Sequence, residues 1–154
     1  MDAQTAVTLG KMSAATIFGL SALGSVLGTG AAGPAAIGAW KKCYAQNKAA
    51  PFILIVFAGA PLSQTIYGMI LMNQMVAICN APGFNNWGAM LGTGVFGGLA
   101  IGASAWWQGR AGAAGADALA ETGKGFGNYL MVLGIIETIA LFILVFIGAV
   151  FKAA

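Results

Sequence analysis

Apolar residues dominate four long stretches of the chain, at about residues 13–40, 51–78, 87–117 and 125–151. Each predicts a helix that rises ~1.5 Å per residue and is long enough to cross a hydrocarbon core of ~30 Å. Polar residues collect between them. The first connection is short and basic, with Lys41, Lys42 and Lys48; the second, residues 80–86, is rich in turn formers and uncharged; the third, around 110–124, carries two basic and two acidic residues. One polar position breaks the pattern. Glu137 lies near the middle of the last stretch, where an ionised carboxylate costs roughly 2.5 kcal/mol or more and must face protein, water or a cation.

Composition sharpens this to an integral membrane protein. The 154 residues are 59% hydrophobic and 7% charged, with 24 glycines, whereas a soluble domain is about 25% charged. Seven basic and four acidic side chains cannot cover a soluble core, and the net charge of +3 is too small and scattered to indicate nucleic acid. Residues 1–39 do not read as a cleavable signal peptide, because the start has Asp2 and a single Lys11 in place of a basic cluster and the apolar segment is too long. Cys43 and Cys79 are expected at opposite ends of one helix, roughly 50 Å apart, and so unpaired, with Cys79 packed among apolar groups. With no histidine and no metal-like cysteine spacing, zinc and haem sites are not expected. Lysine and arginine concentrate in the first and third connections. Lys11 and Lys152 alone stand on the other side. The positive-inside rule therefore places both basic connections in the cytoplasm and both termini outside.

Folded in half, the chain shows a repeat. Gly24, Gly28 and Gly38 align with Gly98, Gly102 and Gly112, and a one-residue shift aligns Gln64-Thr65 with Glu137-Thr138. The reading is one membrane domain over residues 1–154, built from two helical hairpins at about 12–79 and 87–152. An amide in the first hairpin matches the acid in the second, so two hairpins hold one ionisable group. Residues 28–33 and 92–97 both spell G-x-G-x-x-G. Neither lies between a strand and a helix, so neither is a dinucleotide site. Packing explains them better: Gly24 and Gly28, and Gly94, Gly98 and Gly102, recur every four residues and stack on one helix face, as in close membrane-helix contacts. Helices one and three carry these stripes while two and four are bulkier. That asymmetry suits a closed ring with the small-residue helices inside, and a simple four-helix bundle remains the alternative.

Several deep polar residues share one depth. Gln108 and Glu137 are almost equally far from the turn near Thr122, and Ser63, Gln64 and Tyr67 lie at a similar distance along helix two, on one face. Pro61 cannot donate to the carbonyl of Phe57, which leaves backbone oxygen available nearby. A proton needs only the carboxylate and an acceptor, whereas Na+ needs several oxygens. The richness of the cluster favours Na+, although neutral amides also stabilise a protonated glutamate and keep H+ open.

The stretches Ala60-Pro61-Leu62-Ser63-Gln64-Thr65-Ile66-Tyr67-Gly68, Gln108-Gly109-Arg110 to Gly115, and Ile136-Glu137-Thr138 together resemble the duplicated proteolipid of V-type ATPases, the K (or c) subunit, and most closely its sodium-pumping branch. The resemblance implies an all-α membrane protein of four transmembrane helices that assembles into a rotor ring. It implies Glu137, Gln64, Gln108 and Ser63 as cation ligands, Tyr67 as the phenol bonded to the carboxylate, and the backbone carbonyl of Ala60 as a further ligand. It further implies Na+ or H+ as the transported ion and no organic cofactor. The partners would be a stator subunit with an arginine, central-stalk subunits on the cytoplasmic loops, and lipid. ATP hydrolysis would belong to other subunits, since this chain has no P-loop. A small multidrug/H+ antiporter with a membrane-embedded glutamate is the rival from another class.

Overall fold

A computed structural model describes residues 2–152, with side chains as far as Val150; Met1, Ala153 and Ala154 lie outside the described residues. Four helices follow one another: α1 (Ala3–Ala45), α2 (Phe52–Cys79), α3 (Trp87–Thr122) and α4 (Phe126–Lys152). All four are long and apolar enough to cross a membrane. The chain is an all-α, multi-pass membrane protein.

Two helices run further than their hydropathy predicts. α1 begins at Ala3, where Asp2 caps it by accepting the Thr5 N–H at 2.8 Å, and continues through Lys41 and Lys42 to Ala45. α3 continues through the polar 110–124 stretch to Thr122. The reason is mutual packing of their polar ends. Ala36 and Ala39 of α1 join Ala116 and Leu119 of α3 around Leu54 and Phe57, and Lys42 pairs with Glu121 at 3.6 Å. The third connection thus shrinks to a turn in which Gly123 adopts a left-handed conformation (φ 66°) and its N–H bonds the Leu119 carbonyl at 2.8 Å, a glycine C-cap. Trp40 closes the first connection by donating from Nε1 to the Pro51 carbonyl at 2.7 Å.

The expected placement of the cysteines is corrected. Cys43 ends α1 and Cys79 ends α2, so they belong to different helices, both buried and both free.

α1 and α3 run parallel and share the most extensive interface, with α2 packed on α1 and α4 packed on α3 and α2. Glycine permits the close approach. A Cβ on Gly24 would collide with Gly102, one on Gly28 with the Ala105 carbonyl, one on Gly94 with the Ser13 carbonyl, and one on Gly98 with Leu20 and Ile17. The partner of Gly24 is Gly102 and not its repeat-mate Gly98, because the two inner helices are shifted along each other by about one turn. α4 presents Met131, Ile135, Ile139, Phe142 and Phe146 outward, while Leu133 and Ala140 are buried.

Irregular turns interrupt α2 and α3. α2 passes through a 3-10 turn at Ala60–Leu62 around Pro61, and α3 widens to a π-helical turn at Thr93–Gly97. Proline withholds the donor that would continue α2 regularly.

Candidate functional site

Glu137 lies on the seam of α4, between buried Leu133 one turn before it and buried Ala140 one turn after it. That register alone aims the carboxylate at α2 and α3. Apolar clusters close the site above and below: Ile17, Leu71, Met75, Ile101 and Ala140 on one side, Leu54, Phe57, Leu119 and Leu133 on the other. Between these clusters Gln64 and Gln108 are buried while Glu137, Tyr67 and Ser63 are half-buried, and a buried polar group left unpaired is costly.

The side chains form one connected chain of hydrogen bonds. Tyr67 donates its hydroxyl to Glu137 Oε1 at 2.6 Å. Gln108 donates from Nε2 to Glu137 Oε2 at 3.2 Å and to the Leu133 carbonyl at 3.2 Å. Gln64 donates to Gln108 Oε1 at 2.8 Å. Ser63 donates to Gln64 Oε1 at 3.1 Å and to the Ala60 carbonyl at 3.1 Å. Gln64 and Gln108 are fully buried.

The five residues read as a cluster from the sequence, Glu137, Gln64, Gln108, Ser63 and Tyr67, come together here, with Ala60, which the resemblance adds, bonded through its carbonyl to Ser63. Ser63 reaches the Ala60 carbonyl because the 3-10 turn at Ala60–Leu62 brings residues three apart into line. Thr138 is not part of the cluster. Its hydroxyl bonds the Ile135 carbonyl of its own helix at 2.6 Å.

Sequence reasoning missed Ser104. Its hydroxyl donates to the Ile136 carbonyl at 2.9 Å and receives the Gln64 amide at 3.5 Å, which ties α4 to α3 beside the acid. The signal was its position four residues before Gln108, on the same face of α3.

Both carboxylate oxygens of Glu137 thus accept a hydrogen bond, and no cationic side chain among the described residues bonds it. Oxygen-bearing groups of Glu137, Gln64, Gln108, Ser63, Tyr67 and the Ala60 backbone are thus linked by hydrogen bonds across α2, α3 and α4. Such a donor set is suited chemically to a proton or a hard cation. A cavity of about 530 Å³ lies elsewhere, at the α2–α3 turn against Phe84, Asn85, Asn86 and Val150, and a groove of about 190 Å³ lies between α1 and α3 near Leu27, Gly102 and Trp106. Neither is lined by Glu137.

Comparison with known families points the same way as the chemistry. Residues 91–147 match the family model of the ATP synthase C subunit. The matched span covers most of the second hairpin and includes both Gln108 and Glu137. The likeness is to that family over this span alone. No curated protein matches the chain.

Proposed function

We propose that this chain is the protomer of the rotor ring of a V-type ATPase and carries Na+, in preference to H+, across the membrane by reversible binding at Glu137. The observation that carries the reading is the convergence of a carboxylate, two amides, a hydroxyl and a phenol from three helices at one depth in a lipid-facing bundle. Glu137 supplies the charge that balances the cation. Gln64, Gln108 and Ser63 supply neutral oxygens, with the Ala60 carbonyl as a backbone ligand, and Tyr67 holds the carboxylate in place.

The cycle follows from desolvation. With the cation bound, site and ion are neutral together, and the protomer turns past lipid at little cost. Emptied, the carboxylate carries a charge that lipid rejects by several kcal/mol. An arginine on a stator subunit would then attract it where the ion exchanges with water. Binding and release thereby couple to rotation, with ATP hydrolysed on other subunits and the central stalk docked on the two basic connections. Both termini lie outside, and the two hairpins descend from one duplicated ancestor. A proton-carrying ring is the second reading, favoured by the fact that Tyr67 and Gln108 already satisfy the carboxylate without a metal.

The deciding measurement is ATP-driven ²²Na+ uptake by the assembled complex in vesicles. Glu137→Gln removes the charge and keeps the shape, and is expected to lower uptake by about tenfold or more; undiminished uptake overturns the site. Carbodiimide modification of Glu137 separates the ions. Na+ is expected to protect, and absence of protection at every pH transfers the site to H+.

A further inference from the structure

Ser25 is the exception among the serines and threonines of α1. Thr8, Ser13, Thr16, Ser21 and Thr29 each donate to a carbonyl one turn back at 2.7–2.9 Å, and Thr5 bonds Asp2 at 2.9 Å. Ser25 Oγ is buried, with the residue 2% exposed, and has no hydrogen-bond partner among the described residues. A buried hydroxyl without a partner is unfavourable. Alanine would fit the same space without that penalty.

Its place in the bundle explains what the hydroxyl does. Gly10 lies against Cys79, Ser21 against Gly68, and Gly28 against Pro61. These three contacts share one antiparallel register, one residue forward on α1 for one residue back on α2. The same register sets Ser25 across from Gln64. On α3, the flanking contacts of Gly24 with Gly102 and Gly28 with Ala105 bracket Ser104. Ser25 therefore stands behind the polar cluster, on the one helix that contributes nothing else to it.

Gln64 now uses its Nε2 to donate to Gln108 Oε1 at 2.8 Å, with a longer contact to Ser104 at 3.5 Å. If Gln108 Oε1 turns to a cation, as the proposed function requires, that acceptor is withdrawn and a buried amide N–H is left unpaired. Ser25 Oγ offers the replacement. Its hydroxyl can donate to the Ser21 carbonyl one turn back, as the other α1 hydroxyls do, which leaves a lone pair for Gln64. We propose that Ser25 is a positioning residue for the cation site: it accepts the Gln64 amide N–H in the loaded state and so frees the oxygens of both glutamines for the ion. The inference rests on the cation-site reading of Glu137.

The test measures, in the complete complex at fixed pH, the Na+ concentration that half-protects Glu137 from carbodiimide. Ser25→Ala is expected to raise it about tenfold, the effect of one lost hydrogen bond to a buried amide, with the unprotected extent of labelling unchanged. Ser25→Thr restores the oxygen and is expected to bring the value back to within about twofold. A wild-type half-protection in Ser25→Ala overturns the inference while leaving the cation site standing, and so does a loss of ring thermal stability with no shift in half-protection. Absence of Na+ protection in the wild-type complex overturns the sodium reading and this inference together.

Discussion

Glycine and glutamate residues mark the two extremes of what a single side chain does in this protein. At Gly24 a Cβ has no room, because the backbone of Gly102 occupies its place; at Gly30 nothing lies within 4 Å of an added Cβ. Gly24→Val is therefore expected to destabilise the bundle by about 1–3 kcal/mol or more through overpacking. Gly30→Ala is expected to be neutral or slightly stabilising for a helix. Thermal denaturation of detergent-solubilised protein orders the two variants; equal melting temperatures would show that α1 and α3 do not touch as described. For the candidate site, residue identity was highly legible. An acid, two amides and a phenol in apolar helices have few roles open to them, so Glu137, Gln64, Gln108 and Tyr67 stand out in the sequence. Ser104 and Ser25 did not, because a serine inside a helix is ordinarily a small residue bonded to its own backbone.

Helix ends and interruptions are decided at the next scale. Asp2 lies outside the bundle, and the Thr5 N–H and hydroxyl hold its carboxyl below the usual carboxylate range. Since the folded value is depressed, the cap stabilises α1 above the ordinary carboxylate pKa and its contribution fades as pH falls through the depressed value. Asp2→Ala is expected to speed amide exchange over residues 3–6 at neutral pH, with wild type and variant converging in strong acid. Exchange that differs equally at all pH values would contradict the cap. Helix boundaries were legible only as far as hydropathy extends. The ends of α1 and α3 carry charged residues and are kept helical by packing on each other, a force that no single segment displays. Pro61 announced the irregularity in α2, but the π-helical turn at Thr93–Gly97 has no comparable marker in glycine-rich sequence.

For the whole molecule, the four helices form two layers, small-residue α1 and α3 against each other and bulkier α2 and α4 on their outer side. The proposed sidedness is tested by single cysteines on the exposed connections, in a background where the buried native thiols Cys43 and Cys79 are removed. In right-side-out cells a membrane-impermeant maleimide is expected to label Asn85→Cys and to leave Lys48→Cys unlabelled until the membrane is opened. The reverse pattern would invert the topology. One carboxylate per pair of hairpins also has a mechanical consequence for the proposed ring. Moving a charge across the membrane involves ~2.3 kcal/mol per 100 mV, so fewer sites per turn let a given ATP yield drive each ion against a steeper gradient.

The sequence by itself determined that this is a membrane protein of four spans with one acid inside a span, because hydropathy and the cost of a charge in lipid are properties of short segments. It also determined which residues are chemically able to hold an ion. Tertiary structure decided that those residues meet, since Gln64, Gln108 and Glu137 are joined only when α2, α3 and α4 pack at one depth. It alone decided that Gly24 meets Gly102, that Ser104 ties α3 to α4 beside the acid, and that the buried Ser25 Oγ has no hydrogen-bond partner among the described residues. These depend on the register between helices, which is set by the fit of whole surfaces and is not encoded at any one position.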